Sequence, residues 1–344
     1  MGFSSALFAQ PTDRENVPGD GLKASDTLEI VVVTASRRAI PRSRVTAAVS
    51  VVDEARIRRD SPQGIAAALR GTPGSFFQQT TPGQGIPIIR GLIGSQVLHL
   101  VDGIRVNNAF FRDAPNQYLG LIDPALINRI EVLRGSAGSL YGADAMGGVV
   151  ALFTPEIRFY SQGTQRSGRV YGSFDSGDRG SFARVEAATG NQRGSVAGGV
   201  SWQKRHDRRI GGGERINPSG FEAWSGNARV LLSAGDFGEW MLSGQTLEQP
   251  STPRVDELVP GFGQTTPSAS QYSYEPNRRS LVHARYRHSN PDAWLDSAEI
   301  NLAQQVIDDD RVIQEFGSPI VSTEQNTSRL NGLTLQGVRQ ASAA

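Results

Sequence analysis

Charged residues interrupt an apolar run at residues 129–135, which read Arg-Ile-Glu-Val-Leu-Arg-Gly. The side chains of a strand point alternately to its two faces. One face of such a strand would carry Ile130, Val132 and Arg134, and the other would carry Arg129, Glu131 and Leu133. Burying these charges is costly unless each one is paired and hydrogen-bonded. The run therefore predicts a strand that holds a buried polar network.

Motifs that carry enzyme chemistry are not found in the sequence. It has no Gly-x-Ser-x-Gly turn, no His-Glu-x-x-His helix and no Gly-Lys-Ser/Thr phosphate loop. Cysteine is absent, which excludes disulfides, thiolate metal sites and a Cys nucleophile. The acidic run Asp308–Asp310 lacks the spaced ligands of a calcium loop, and we expect it in a solvated loop. We expect no enzyme activity, no cofactor and no resident metal.

The composition is that of a folded chain large enough for two domains. Of the 344 residues, 38% are hydrophobic and 20% are charged. The net charge is only +1, so the chain has no excess of positive charge for nucleic-acid binding. No run of about 18 apolar residues occurs, so any membrane crossing must use strands rather than a helix.

The first 27 residues are expected to be a disordered tail, because residues 11–25 are rich in Gly, Pro, Asp and Asn. The short apolar start resembles the remnant of a leader, and we expect the natural N-terminus to lie upstream. Next comes Leu28–Ala35, an extended run of mostly β-branched residues. It suits a core strand, or a recognition peptide that adds itself as a strand to a partner's sheet edge. The residues alone leave both interpretations open.

Two different patterns divide the rest of the chain near residue 155. Residues 36–155 alternate short strands with short helices, which predicts an α+β domain with a small mixed sheet. From residue 156 onward, segments of about ten residues alternate apolar and polar side chains. The predicted strands include residues 169–175, 182–189, 196–203, 228–234, 239–246, 281–287 and 299–305. An apolar-out, polar-in alternation is typical of transmembrane β-barrels, although a soluble β-sandwich also alternates.

Several of these segments carry a family resemblance. The 129–135 run, Ile88-Ile-Arg-Gly91, Val101-Asp-Gly103 and residues 140–148 together resemble the plug domain of TonB-dependent outer-membrane receptors. Residues 28–35 resemble the TonB box of the same family. The resemblance implies an α+β plug domain (residues 36–155, a small mixed sheet with short helices) followed by antiparallel transmembrane β-barrel strands of an incomplete 22-stranded barrel. One departure is Ala151, where the family usually has Asn.

The resemblance also implies three groups of functional residues. Those that bind TonB would be Glu29, Ile30, Val31, Val32, Val33, Thr34 and Ala35. A lock between plug and barrel would use Arg90, Glu131 and Arg134, unless these are ordinary surface charges. Ligand-facing candidates in the outer plug loops are Gln78, Gln84, Phe110, Phe111, Arg112, Gln117 and Tyr118. Aromatic rings beside Arg112 suit a flat anionic chelate, yet the two phenylalanines could equally pack against the barrel lumen.

As a function, the resemblance implies a TonB-dependent receptor for active transport in the outer membrane of a Gram-negative bacterium. Its cargo would be a scarce nutrient, first an iron chelate (siderophore or haem), with cobalamin as the alternative. Its partners would be the TonB C-terminal domain with the inner-membrane energising complex, outer-membrane lipid and the small-molecule metal chelate, and no nucleic acid. Residues 156–344 can hold about eight or nine barrel strands, so we expect an N-terminal fragment. The rivals are a non-transporting binding module from a truncated gene and a secreted β-rich adhesin.

Overall fold

A computed structural model describes residues 31–35, 37, 40–79, 83–108, 118–290 and 293–339 of the chain. They form an N-terminal segment (residues 31–35), an N-terminal domain (residues 40–155) and a large antiparallel sheet, the C-terminal sheet. Across these residues, no helix is both long and apolar enough to cross a membrane.

Nine short strands belong to the described part of the N-terminal segment and domain. They are β1 (Val31–Val32), β2 (Ile40–Pro41), β3 (Ala48–Asp53), β4 (Ser75–Gln78), β5 (Ile86–Ile89), β6 (Val97–Val101), β7 (Ile104–Arg105), β8 (Arg129–Arg134) and β9 (Gly148–Phe153). The helices are α1 (Glu54–Asp60) and α2 (Gly138–Tyr141), with 3-10 turns at Arg42–Arg44, Ile65–Leu69, Gly94–Gln96, Tyr118–Leu121 and Pro124–Leu126. Five strands form one sheet in the order β3-β8-β9-β6-β7, in which β6 and β9 run parallel. The predicted α+β domain with a small mixed sheet is confirmed.

Both faces of this five-stranded sheet are apolar and buried. One face packs against α1 and the 65–69 turn through Ile130, Val150 and Leu152. The opposite face is covered by the N-terminal segment and by residues 137–145, and it carries Leu98, Leu133 and Val149. A sheet covered on both sides gives nearly continuous apolar strands, which explains why a charge within β8 stands out in the sequence.

Strand β9 begins with a glycine that its position requires. Gly148 has a φ of +156°, and a Cβ there would lie 2.2 Å from the carbonyl oxygen of Leu133 in β8. Any side chain would push these two central strands apart, so only glycine fits. The close approach of β8 and β9 thus depends on Gly148.

The C-terminal sheet has eight long strands and two short ones in the described residues. They are β10 (Gln165–Asp175), β11 (Gly180–Gly190), β12 (Gly194–Arg205), β13 (Phe221–Ser233), β14 (Gly238–Gln249), the short β15 (Thr252–Pro253), β16 (Ala269–Ser289), β17 (Ser297–Glu315), the short β18 (Val321–Glu324) and β19 (Thr327–Val338). Helix α3 (Val255–Leu258) and a 3-10 turn at Gly211–Gly213 lie in loops. Each long strand pairs antiparallel with the next long strand. The seven predicted segments fall in these strands, with Ala234 one residue outside.

The long strands present opposite chemistry on their two faces. The outward face, away from the N-terminal domain, exposes apolar side chains such as Val200 (62%), Leu242 (54%) and Leu302 (54%). The domain-facing side instead buries polar side chains, among them Arg184, Ser201, Ser225, Gln245, Arg279 and Gln305. The predicted apolar-out, polar-in alternation is confirmed, and it is the pattern of a membrane-spanning wall.

Aromatic residues mark two levels of the outward face. Trp202 on β12 stands opposite Trp224 on β13. Trp240 on β14 stands opposite Tyr286 on β16, with ring centroids 4.6 Å apart. Leu232, the β13 neighbour of Trp240, lies eight residues beyond Trp224. Eight residues of strand span about 26 Å, so a strand tilted by about 40° covers about 20 Å of the apolar band, which is about 25 Å tall in outer-membrane barrels.

The expectation that Asp308–Asp310 lies in a solvated loop is wrong. The run lies inside β17, and Asp309 is fully buried. Asp309 binds Arg311 at 2.7 Å, and Asp308 binds the outward-facing Arg278 at 2.7 Å. By strand register Asp308 lies level with Trp224, through Glu248 and Arg278. Arg278 and Arg311 neutralise Asp308 and Asp309 there.

His99 is buried in the middle of β6, as its place in an apolar run predicts. It is 1% exposed and lies beside the side chain of Asn107. Burial lowers its pKa from 6.5 to about 4, although the hydrogen bond with Asn107 opposes the shift. Between these two values the unfolded chain binds a proton that the folded protein does not.

We expect the N-terminal domain to lose stability as the pH falls from 6.5 to about 4. Above pH 6.5 both states hold a neutral imidazole and the contribution is complete; below it, proton uptake favours the unfolded chain. A shift of this size corresponds to about 3 kcal/mol. Urea unfolding over this pH range should show a smaller slope for His99→Gln than for wild type, while His206→Gln, at an exposed histidine, keeps the wild-type slope. Identical slopes in all three proteins would contradict the prediction.

Candidate functional site

One buried carboxylate holds the N-terminal segment on the five-stranded sheet. Oε2 of Glu131 accepts hydrogen bonds from the Val33 amide (2.9 Å), the Thr34 amide (2.8 Å) and the Thr34 hydroxyl (2.7 Å). The other oxygen, Oε1, lies 3.1 Å from Nε of Arg129. Glu131 is fully buried and Thr34 is 1% exposed. Hydrogen bonds to a charged acceptor are strong, so the buried polar network predicted for the 129–135 run attaches this segment to the domain.

Two further contacts hold the same segment. Tyr141 donates its hydroxyl proton to the Thr34 carbonyl oxygen at 2.9 Å. Burial raises the pKa of Tyr141 to about 12 despite the nearby Arg37 guanidinium, so the hydroxyl keeps this proton. Val32 is fully buried, and β1 pairs with β2 through Val32 and Ile40. An ionised carboxylate, hydrogen bonds and apolar contact therefore all attach the N-terminal segment to the domain.

Asp123 is the centre of the seam, the contact between the N-terminal domain and the C-terminal sheet. Its Oδ1 accepts the amide hydrogen of Ala125 and so caps the 124–126 turn. Asp123 and Arg184 are 4% and 5% exposed. Oδ2 accepts hydrogen bonds from three neighbouring strands, donated by Arg184 (3.2 Å), Ser201 (2.6 Å) and Ser225 (2.6 Å). One carboxylate of the domain thus joins β11, β12 and β13.

A second aspartate crosses the seam from the tight turn that follows β6. Asp102 accepts hydrogen bonds from the Thr154 amide (2.9 Å), the Thr154 hydroxyl (2.7 Å) and Nη2 of Arg229 (2.7 Å). Nη1 of Arg229 also donates to the Pro155 carbonyl oxygen at 2.8 Å. Arg229 of β13 therefore binds both the turn and the residues that lead out of β9.

Neutral hydrogen bonds tie the loops of the domain to other strands. The amide of Gln249, at the end of β14, donates to the carbonyl oxygens of Gly83 (3.4 Å) and Gly120 (3.2 Å). The amide of Gln305 in β17 donates to the carbonyl oxygens of Arg105, the last residue of β7, and of Val106, at 3.3 and 3.4 Å. The seam is mainly polar, in contrast to the apolar core of the domain, but it includes one buried apolar contact of Leu121 with Leu247 and Ile307.

A small crevice of about 70 Å³ lies in the seam between α1 and strands β10–β12. Its wall combines the apolar side chains of Ile57, Tyr171 and Phe182 with the guanidinium groups of Arg184 and Arg205. Within the described ranges, no group of three or more His, Asp or Glu side chains is placed to hold a metal ion. In the described residues this part of the seam therefore presents arginines rather than a metal centre, in a crevice with room for only about two waters.

The three residues predicted as a plug–barrel lock make other contacts in the described structure. Glu131 binds the N-terminal segment. Arg134 donates from Nη1 to the Pro73 carbonyl oxygen at 2.5 Å, which ties β8 to a loop of the same domain. Arg90 is exposed, and its guanidinium lies against Gly135. Their role as a lock stays a prediction, while aspartates elsewhere in the domain bind the C-terminal sheet.

Three of the ligand-facing candidates lie in described residues. Gln78 is exposed, Gln84 is 5% exposed, and Tyr118 begins the 118–121 turn. Gln79, next to Gln78, accepts a hydrogen bond from Arg208 of the 206–220 loop at 3.4 Å. The candidates outside the described residues are Phe110, Phe111, Arg112 and Gln117, together with Glu29 and Ile30 of the predicted TonB box. The binding roles of all these residues stay predictions.

Sequence reasoning missed the residues of the seam. Asp102 reads as a turn residue and Asp123 as a helix cap, and the structure confirms both. A carboxylate that caps a turn still has a second oxygen free to bind elsewhere. Arg184 and Arg229 each lie on the polar face of an alternating strand. This pattern could have indicated the seam, because a buried guanidinium needs a carboxylate from another element.

Residues 41–149 match the family model described as the TonB-dependent Receptor Plug Domain. The match covers nearly all of the N-terminal domain and ends in β9. This family consists of transport receptors and is not an enzyme family.

The chain is also similar to individual proteins. It is 34% identical over 177 residues to the vitamin B12 transporter BtuB of Vibrio vulnificus, a match that covers 51% of this chain and 27% of that protein. Its structure resembles the copper transporter OprC with a TM-score of 0.66, 18% identity and coverage of 85% of this chain and 44% of that chain. It resembles the ferripyoverdine receptor of the outer membrane of Pseudomonas aeruginosa with a TM-score of 0.64, 14% identity and coverage of 89% and 41%. The two structures show a shared fold alone, and this chain spans less than half the length of each of the three proteins.

We expect Asp123→Ala to destabilise the protein by about 3 kcal/mol, because it removes the main partner of a buried guanidinium. This lies at the low end for buried pairs, since Arg184 keeps Glu186 at 3.0 Å. The double variant Asp123→Ala/Arg184→Met should be less destabilised than Asp123→Ala alone, because it strands no charge. The measurement is equilibrium unfolding in detergent micelles.

The matched control for this experiment is Asp308→Ala, which removes the pair with the half-exposed Arg278. Pairs at such exposure contribute about 1 kcal/mol or less. If Asp123→Ala has no larger effect than this control, Asp123 does not hold the seam together.

Proposed function

Because the chain belongs to the TonB-dependent receptors, with a plug domain and part of a barrel, we propose that it takes part in active import across the bacterial outer membrane. The N-terminal domain would be the plug, and the C-terminal sheet would be part of the wall around it. Such import makes and breaks no covalent bond, so the proposed activity is transport rather than catalysis.

The observation that carries this proposal is a globular domain held on one side of a two-faced sheet. The C-terminal sheet turns apolar side chains outward between two aromatic levels. It holds the domain on its polar side through Asp102 and Asp123. Lipid suits the outward face, and an aqueous lumen suits the inner one. Polar contacts can be replaced by water when the domain moves, which an apolar interface does not allow.

We further propose that residues 28–35 act as the TonB box, with Glu29–Ala35 forming the strand that binds. Val31–Val32 form a strand in the described part, and Glu131 holds the following Val33 and Thr34 by their main-chain amides. Once released, those amides are free to add a strand to the edge of a partner sheet. The proposed partner is the TonB C-terminal domain, coupled to the inner-membrane energising complex. The two interpretations of this run, core strand and recognition peptide, would then be its resting and its active state.

As cargo we propose a metal chelate, first an iron chelate such as a siderophore complex or haem. Phe110, Phe111 and Arg112 would supply aromatic surface and positive charge for a flat anionic chelate. The remaining candidates would add hydrogen bonds: Gln78, Gln84, Gln117 and Tyr118. Cobalamin is the second candidate, and the 34% identity to a vitamin B12 transporter favours it.

Uptake by cells tests the function directly. A strain without the gene, and the same strain complemented with it, receive labelled ferric siderophores, haem or cobalamin as separate nutrients, with and without an uncoupler of the proton gradient. We expect the gene to restore uptake of at least one nutrient and the uncoupler to abolish it. Binding without uptake would favour a non-transporting binding module instead. Neither binding nor uptake would overturn the proposal.

We expect Glu131 to control access to the proposed TonB box. Because the chain has no cysteine, Ala35→Cys provides a single thiol whose rate of maleimide labelling reports exposure of the segment. Adding Glu131→Ala should raise this rate about tenfold or more, since three hydrogen bonds to the carboxylate are lost. Glu156→Ala, at an exposed glutamate, is the control and should leave the rate unchanged. A carboxylate with no role in retention would give equal rates in the two variants.

A further inference from the structure

The ion pairs across the seam all have the same polarity. Among the residues that the structure describes, three pairs join the N-terminal domain to the C-terminal sheet. In each, the domain supplies the acid and the sheet supplies the arginine: Glu54–Arg169, Asp123–Arg184 and Asp102–Arg229. In these three pairs the sheet therefore supplies the hydrogen-bond donor, and a carboxylate of the domain accepts.

Around Asp102 the donors outnumber the acceptors. Arg229 donates to its carboxylate directly, at 2.7 Å. The side chains of Arg279 and His283, each 2% exposed, lie on the same inner face. His283 is level with Arg229 through Ser243. Arg279 contacts Gln305, which donates to the carbonyl oxygens of Arg105 and Val106 shortly after the Asp102 turn. Two guanidinium groups and an imidazole thus lie at this part of the seam in a buried setting. An excess of positive charge away from water favours the binding of an anion.

Arg279 is the least compensated member of this group. Its Nε donates to Gln305 at 2.7 Å and its Nη1 to Gln245 at 3.5 Å, and both acceptors are neutral amide oxygens. Its Nη2 is buried and has no hydrogen-bond partner in the described part of the chain. The same holds for Nδ1 of His283, whose Nε2 contacts Asn301 at 2.8 Å. A native protein rarely leaves buried donors of this kind unused.

We propose that Arg229, Arg279 and His283 form a carboxylate-binding site on the inner face of the sheet, which Asp102 fills in the resting state. When the domain moves away, the site takes another carboxylate, either free in solution or carried by a solute that passes along the wall. Binding of a carboxylate on a passing solute rests on the proposed function. Binding of a free carboxylate to the vacated site does not rest on it.

A glycine at position 102 allows the site to be tested in the folded protein. Asp102 has a φ of +48°, a conformation that glycine adopts freely, so Asp102→Gly removes the carboxylate without backbone strain. Acetate has the carbon and oxygen atoms of the lost side chain and can take its place. Asp102→Asn is the matched control, because it removes the charge but leaves no space.

We expect sodium acetate to raise the Tm of Asp102→Gly by about 3 °C or more relative to sodium chloride at equal ionic strength. Acetamide, the neutral isostere, should have no such effect, and neither Asp102→Asn nor wild type should respond to acetate. Equal shifts with chloride and acetate would overturn the assignment to carboxylates. An equal response of Asp102→Asn would overturn the site itself.

The role of Arg279 is tested in the same background. Adding Arg279→Gln to Asp102→Gly should weaken the apparent affinity for acetate about tenfold or more. Arg278→Gln changes the neighbouring outward-facing arginine and should leave that affinity unchanged. If Asp102→Gly fails to fold in chloride, its refolding yield in acetate and in acetamide gives the same comparison. An acetate response that survives Arg279→Gln would overturn the proposal.

Uptake separates the two sources of the carboxylate. Haem carries carboxylates, whereas cobalamin presents amides in their place. In cells, Arg279→Gln should slow the import of haem about tenfold and leave the import of cobalamin unchanged. Unchanged haem import, or import of carboxylate-free solutes alone, would overturn the role in passage. If wild type imports nothing, the proposed function fails, and the acetate experiment still decides whether the site exists.

Discussion

The alternation of side chains along the long strands of the C-terminal sheet is the constraint on which the rest of the structure depends. It places apolar side chains on the outward face and leaves arginines, serines and glutamines on the inner one. Buried polar groups need partners, and the sheet alone does not supply enough acids for Arg184 and Arg229. The N-terminal domain supplies them, so its tight turn at Asp102 and its helix cap at Asp123 determine where it sits.

The N-terminal segment follows the same rule, and the domain again supplies the acid. Here the domain contributes the acid, Glu131, and the donors are mainly backbone amides at Val33 and Thr34. Backbone donors are available in any extended chain, so the side chains contribute specificity through the burial of Val32 and Thr34. Glu131, Tyr141 and the burial of Val32 attach this segment, whereas several strands share the attachment of the domain. The contacts of the segment are therefore separate from those of the seam.

Local features of the structure could be predicted from the sequence, and contacts between distant residues could not. The long strands follow from their alternation, and the turn at Asp102 and the cap at Asp123 follow from neighbouring residues. The charge of Glu131 in an apolar strand indicated a buried network, yet its partner lies 98 residues away in the chain, where no local pattern can identify it. The acidic run at 308–310 resembles a loop because the local sequence does not show which residues neutralise its charges. Arg278, the partner of Asp308, lies on the neighbouring strand β16, and Arg311, the partner of Asp309, follows in β17 itself.

The common polarity of the seam also affects how the two parts meet during assembly. Opposite charges attract one another over about 8–10 Å at physiological ionic strength, which is farther than any hydrogen bond reaches. The acids of the domain are therefore drawn toward the arginines of the sheet before their side chains touch, and this field orients the domain as it docks. Electrostatic attraction therefore steers the domain to its correct position. Added salt weakens this attraction, so docking becomes slower.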